Sequence, residues 1–168
     1  MSGDAVGSLL DRHGDAVYRI AWNLCGSRGS AEEVTRKAFL AALRDGASSA
    51  SEVYGIAVQA SLEERQAKGP SGAGSLEAFL PRFDPSGRLA SPDAAALEDA
   101  HVTDLLRNAL DGIDEAARTA FVLCDLVELP PEEAGAILEA PPRAVRQRVH
   151  RARLLLTGIV ERFAASQG

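Results

Sequence analysis

The chain has 168 residues, a formal charge of −6, 46% hydrophobic but only 5% aromatic residues, and two cysteines. That length holds one ordinary domain or two very small ones, and the composition excludes a disordered tail, a collagen-like repeat and a disulfide-framed mini-protein. No apolar run approaches the roughly 20 residues that cross a bilayer, and Met1-Ser-Gly-Asp4 has neither the basic nor the apolar part of a secretory signal. Cys25 and Cys124 stand 99 positions apart in apolar surroundings. That spacing suits neither a disulfide framework nor a zinc site and reads as two buried free thiols of a reducing, cytoplasmic compartment.

Three apolar-periodic segments open the chain. Ser8 to Leu24 predicts a helix with Leu10, Val17, Ile20, Ala21 and Leu24 on one stripe. After Gly26-Ser-Arg-Gly29, Ser30 and Glu33 have capping-box spacing for a second helix through Val34, Ala38, Phe39, Ala42 and Leu43, ending near Gly46. Glu52 to Gln66 predicts a third, with Val53, Ile56, Ala57 and Ala60 inward. Nothing alternates with period two, so no strand is expected.

Gly69-Pro-Ser-Gly-Ala-Gly-Ser75 has linker composition. It leads into an apolar but Pro- and Gly-punctuated segment, Leu76 to Leu89, read as an extended connector with a helical turn at Leu76–Leu80. Ala94–Leu110 is again helical, with Leu97, Val102, Leu105, Leu106 and Ala109 apolar. Asp114 caps the next helix, with Ala117, Phe121 and Cys124 inward. Pro130-Pro131 and Glu132-Glu133 start a short helix carrying Ala134, Ile137 and Leu138. Pro141-Pro142 then precede a last helix burying Val145, Val149, Ala152, Leu156, Ile159 and Phe163. The expected fold is all-α: two small helical domains, 1–68 and 101–168, joined by a flexible linker at 69–100.

The charge is unevenly spread. Residues 69–104 carry 2 basic and 6 acidic side chains, whereas the flanking thirds are nearly balanced. Arg143, Arg146, Arg148, Arg151 and Arg153 fall in eleven residues without an acid. With a short helix, a turn and a longer helix, this is a helix-turn-helix plan. Arg143, Arg146, Gln147, Arg148, His150 and Arg151 face outward once the apolar positions are turned in. Arg146 and Gln147 suit base edges in a major groove; Arg148, Arg151 and Arg153 suit phosphates or packing over the groove wall. A solvated basic helix face fits the same spacing.

The run Pro131-Glu-Glu-Ala134 through Val145-Arg-Gln-Arg-Val-His-Arg-Ala-Arg153 to Leu156 resembles region 4 of extracytoplasmic-function sigma factors, group 4 of the sigma-70 family. Ala116 to Val127 is similar to the first helices of that region. Val17-Tyr-Arg-Ile-Ala21, Ala31-Glu-Glu-Val34 and Ala38-Phe-Leu40 resemble region 2, and Leu80-Pro-Arg-Phe-Asp84 with Gly87-Arg88 the linker of some such factors. The resemblance implies a non-enzymatic alternative sigma factor that binds core RNA polymerase and promoter DNA, with an anti-sigma factor as a further partner. Region 4 then reads the −35 element through Arg143, Arg146, Gln147, Arg148, His150, Arg151 and Arg153. Region 2 binds the polymerase clamp through Glu33, Arg36, Lys37, Phe39 and Leu40, and the −10 element through Tyr54, Gln59 and Arg65.

Region 2 departs from the family pattern. Arg36 and Lys37 stand where Gln-Glu is usual, which reverses charge towards a clamp surface that is basic in the family. The Trp-Leu-Tyr-Arg-Ile-Ala-x-Asn run becomes Glu52-Val-Tyr-Gly-Ile-Ala-Val-Gln59, and Glu63-Glu64 replace arginines. The rival reading is therefore a degenerate sigma-like regulator that binds polymerase, an anti-sigma factor or another regulator without melting DNA. Lys37 and Glu52 discriminate the two readings. His13, His101 and His150 are too scattered for a metal or catalytic cluster, and no cofactor is expected.

Overall fold

The computed structural model describes residues 3–68 and 109–167, and every described element is helical. The expected connector at 69–100, most of the Ala94–Leu110 helix and the Phe163 side chain lie outside the described residues. Among the described residues no helix is long and apolar enough to cross a membrane, and no three His, Cys, Asp or Glu side chains gather as metal ligands.

Helix α1 (Gly3–Cys25) starts earlier than the Ser8 expected from periodicity. Val17, Ile20, Ala21 and Leu24 are fully buried, but Leu9, not Leu10, completes the stripe. The two leucines flank the apolar sector, and the cluster across the bundle takes in Leu9 while Leu10 stays in solvent. Gly26, at φ 72°, ends α1. Ser27, not Ser30, then caps α2 (Arg28–Asp45). The cap moves one turn forward because Ser27 follows the left-handed residue in extended conformation and receives the Ser30 amide on its Oγ at 3.4 Å. Ser30 is left buried in the first turn, bonded to Lys68, and Glu33 turns to Arg36 instead.

Gly46 closes α2 in the left-handed conformation, with the Ala47 amide donating back to Ala42 O at 2.9 Å. Helix α3 (Ala50–Lys68) opens with a reciprocal cap. Glu52 N donates to Ser49 Oγ, while the Glu52 carboxylate accepts the Ser48 and Ser49 amides at 3.1 and 3.0 Å. These amides and the Ser49 hydroxyl hold the Glu52 carboxyl below its ordinary value. A depressed carboxyl stabilises the fold above its unfolded pKa and loses that contribution as pH falls through the folded value. In an NMR titration the Ser48 and Ser49 amides should therefore shift with a midpoint below that of an ordinary glutamate; a midpoint at the ordinary value refutes the cap.

Helices α1, α2 and α3 pack pairwise into a three-helix bundle. Val53 and Ala57 face its core as expected, whereas Ile56 and Ala60 are half-buried, and Tyr54, Val58 and Ser61 form a second buried line. In the other half, residues 109–112 are helical and Asp114 caps α4 (Glu115–Phe121) by accepting the Ala117 amide at 2.9 Å. Helix α4 runs into a π-helical turn, Val122–Leu126, closed by Val127 N to Val122 O at 3.0 Å. Its extra residue rotates the inward face, so Val122 and Leu123 are fully buried while Phe121 and Cys124, expected inside, are only half-buried. Cys25 and Cys124 are free and half-buried, and burial pushes both thiols up. Helices α5 (Pro131–Ile137) and α6 (Pro142–Gln167) follow.

The halves share a core. Val17, Ile20 and Val53 belong to one buried cluster with Val122, Leu123, Ala134, Val145 and Val149. Helix α5 packs on α3, and the π-helical turn on α1. A smaller cluster of Leu110, Ile113, Ala117, Ala152 and Leu155 seats α4 on α6.

Candidate nucleic-acid interface

Helix α5 begins with Pro131 at its first position behind extended Pro130, and its Glu132 and Glu133 lie in the first turn. It ends after two turns: Leu138 N donates to Ala134 O at 2.9 Å, and Glu139 adopts φ 48°. The Ala140 amide then reaches Gly135 O at 3.0 Å, and α6 starts at Pro142. Ala134 and Val145 are fully buried where the two helices cross. Gly135 is the tightest point of the motif, since a Cβ there would lie 2.6 Å from Ala140 O. Its signal in the sequence is a glycine inside a short apolar helix just before a turn.

With Val145, Val149 and Ala152 buried, Arg143, Arg146, Gln147, His150, Arg151 and Arg153 are exposed along α6, and Arg148 is half-exposed. Three of the arginines lean on acids from three different elements. Arg146 meets Glu132 of α5 at 3.2 Å, and Arg151 meets the α4 cap Asp114 at 3.6 Å. Arg153 makes a two-pronged pair with Asp125 of the π-helical turn, at 2.7 and 2.6 Å. The first two pairs are solvent-exposed and weak enough for a phosphate or base edge to exchange with. The third is bidentate with a largely buried carboxylate, so Arg153 acts as a strut between the π-helical turn and α6. Among the described residues Arg143 and Arg148 have no ion-pair partner. Sequence spacing places Asp114 and Glu132 at helix starts, but their pairing with α6, like that of Asp125, depends on how the helices pack.

In the first half, Glu33, Arg36, Lys37 and Leu40 lie on the exposed side of α2, and Leu40 is 56% exposed. Phe39 does not join them: it is buried in the core and offers a partner no surface. Lys37 lies 3.6 Å from both Glu33 and Glu64, so the reversed charge on α2 is matched by the reversed charge on α3. Of the α3 residues, Gln59 is exposed and bonds Glu63. Tyr54 is buried, its hydroxyl 3.3 Å from His13 Nδ1, and Arg65 is bonded to Asp111 across the halves. The three are not presented together. Glu52 faces no partner of this kind: its carboxylate closes the reciprocal cap of α3 by accepting the Ser48 and Ser49 amides.

Residues 103–156 match the family described as Sigma-70, region 4. Over 153 residues the chain is 30% identical to the ECF RNA polymerase sigma factor SigE of Mycolicibacterium smegmatis, covering 86% of this chain. The chain is thus similar to an extracytoplasmic-function sigma factor and carries a match to region 4 of the sigma-70 family. It spans 57% of the length of that relative. The same all-α fold occurs in CnrH, solved in complex with the cytosolic domain of CnrY, with a TM-score of 0.66 and 20% identity over 95% of this chain and 90% of that one. Helix α5 and the part of α6 up to residue 156 lie within the region 4 match, and the basic stripe lies on that part of α6.

Proposed function

We propose that this chain is an alternative sigma factor that directs core RNA polymerase to specific promoters. Residues 101–168 form region 4 and read the −35 element; residues 1–68 form region 2 and meet the polymerase clamp and the −10 element, with 69–100 as the linker between them. An anti-sigma factor is the further partner, in line with the cytosolic domain of CnrY bound to the relative of like fold. The observation that carries the reading is the exposed line Arg143, Arg146, Gln147, His150 and Arg151 on the second helix of a match to region 4.

Arg146 and Gln147 read base edges in this proposal, and Arg143, Arg148 and Arg151 grip phosphates. Arg146→Ala should lower discrimination between a selected promoter duplex and random DNA by about 1–3 kcal/mol. Arg151→Ala should weaken both duplexes alike and flatten the salt slope by about one unit. Binding across a salt series measures both. Unchanged affinity in both variants, with no salt dependence in the unaltered chain, refutes the −35 assignment.

The degenerate-regulator reading is favoured by one feature, the internal pairing of Lys37 with Glu64. If the α2 face meets a basic clamp, Lys37→Glu with Glu64→Lys should tighten binding to core polymerase while keeping the cross-helix pair. Weaker binding by the double variant, with no transcript from the chain's own upstream DNA, favours the regulator.

A further inference from the structure

Arg146 is held in a way the other arginines of the basic stripe are not. Its Nη1 donates to Glu132 Oε1 at 3.2 Å, and both side chains are exposed. Among the described residues that bond leaves the Nε–Nη2 edge of the guanidinium open. Arg153 is the contrary case, because both N–H groups of that edge are spent on Asp125. Arg151 stands 3.6 Å from Asp114, too far for a hydrogen bond. Arg143 and Arg148 have no acid against them among the described residues. An arginine that is hydrogen-bonded to an acid and still has this edge free therefore occurs once on the described stripe.

Glu132 comes from a different element, the first turn of α5, where the positive end of the helix favours a carboxylate. From there it does two things to Arg146. It restricts a long side chain whose rotamer freedom is otherwise lost only when a ligand arrives. It also cancels the charge, and a neutral pair has little pull on a phosphate, while the carboxylate itself repels one. A guanine edge in the major groove carries no net charge. It offers O6 and N7 as two acceptors that match two parallel guanidinium N–H groups. Reading that edge through Nε and Nη2 does not require the pair with Glu132 to open.

We infer that Glu132 is a specificity-determining residue: it holds Arg146 to a guanine edge and keeps it off the phosphates. This rests on the promoter reading above, in which Arg146 meets a base. The stripe is then divided by its acids. Arg143, Arg148 and Arg151, with no hydrogen-bonded carboxylate among the described residues, are left to the DNA backbone, and Arg146 is reserved for sequence.

The test is selection of duplexes from a randomised library by the full chain, with salt titrations on one random-sequence duplex. The unaltered chain should enrich guanine at one position, and Arg146→Ala should abolish that enrichment with little change in salt slope. Glu132→Ala should reduce the enrichment roughly three- to tenfold. It should also bind the random duplex about two- to fivefold more tightly at low salt, with a slope steeper by about one unit, because the freed Arg146 becomes a phosphate contact. Glu132→Gln keeps an oxygen for the Nη1 hydrogen without the charge, so it should lose less of the enrichment while showing the same steeper slope. A merely structural role would weaken binding to every duplex and leave the slope alone. Guanine enrichment that survives in Glu132→Ala, or an unchanged slope in both Glu132 variants, overturns the inference. No enrichment of any sequence by the unaltered chain overturns the promoter reading, and this inference with it.

Discussion

Leu123→Ala should destabilise both halves of the chain together, by about 3 kcal/mol. Leu123 is fully buried in the π-helical turn, in the cluster that also holds Val17, Ile20 and Val53 of the first bundle. Truncation removes buried methyl groups and leaves a cavity that close-packed neighbours fill only in part. Against a total stability of roughly 5–15 kcal/mol the loss is large, and it should lower Tm by about 6–12 °C. Because the cluster is continuous, amide exchange should rise in α1 as well as in α4. Urea melts followed by circular dichroism, with hydrogen exchange at the Ile20 and Leu24 amides, measure both effects. Unchanged protection in α1 beside a weakened α4 would show that the shared cluster does not couple the halves.

Gly135→Ala has the opposite sign from the same change in an ordinary helix. Alanine in a helix interior normally gains about 1 kcal/mol over glycine. Here the new Cβ would stand 2.6 Å from Ala140 O, with Val145 Cγ2 at 3.7 Å behind it. The obstacle is backbone, so the turn between α5 and α6 has to move. Overpacking of this kind costs about 1–3 kcal/mol, which outweighs the propensity gain. We expect a net loss of stability of up to about 2 kcal/mol. Affinity for duplex DNA should fall further than stability does, because α6 would be re-aimed relative to α5. Thermal melts beside duplex titrations check this; a raised Tm with unchanged binding would mean that the turn yields freely.

The two variants differ in how far the sequence foretells them. The short helix, the turn and the basic second helix are legible from proline placement, apolar spacing and the run of arginines between positions 143 and 153. The need for glycine at 135 is not, since it arises from a carbonyl five residues on that folds back over the helix.

What the sequence determined by itself is local. Helix stops at Gly26 and Gly46, the Asp114 cap, most of the buried side of α1, the Val145, Val149 and Ala152 side of α6 and the outward basic stripe all depend on neighbours within a few positions, although Leu155 rather than the expected Leu156 is buried further along α6. Such neighbours fix backbone conformation and helix face whatever lies across the fold. The tertiary structure decided the rest. It selected Leu9 over Leu10 and buried Phe39 and Tyr54. It joined Arg65 to Asp111 and tied Arg153 to Asp125. Each of these outcomes turns on a group supplied from a distant part of the chain, and a charged or aromatic side chain looks the same in sequence whether it faces water, a carboxylate or a core. Only packing brings that group within reach.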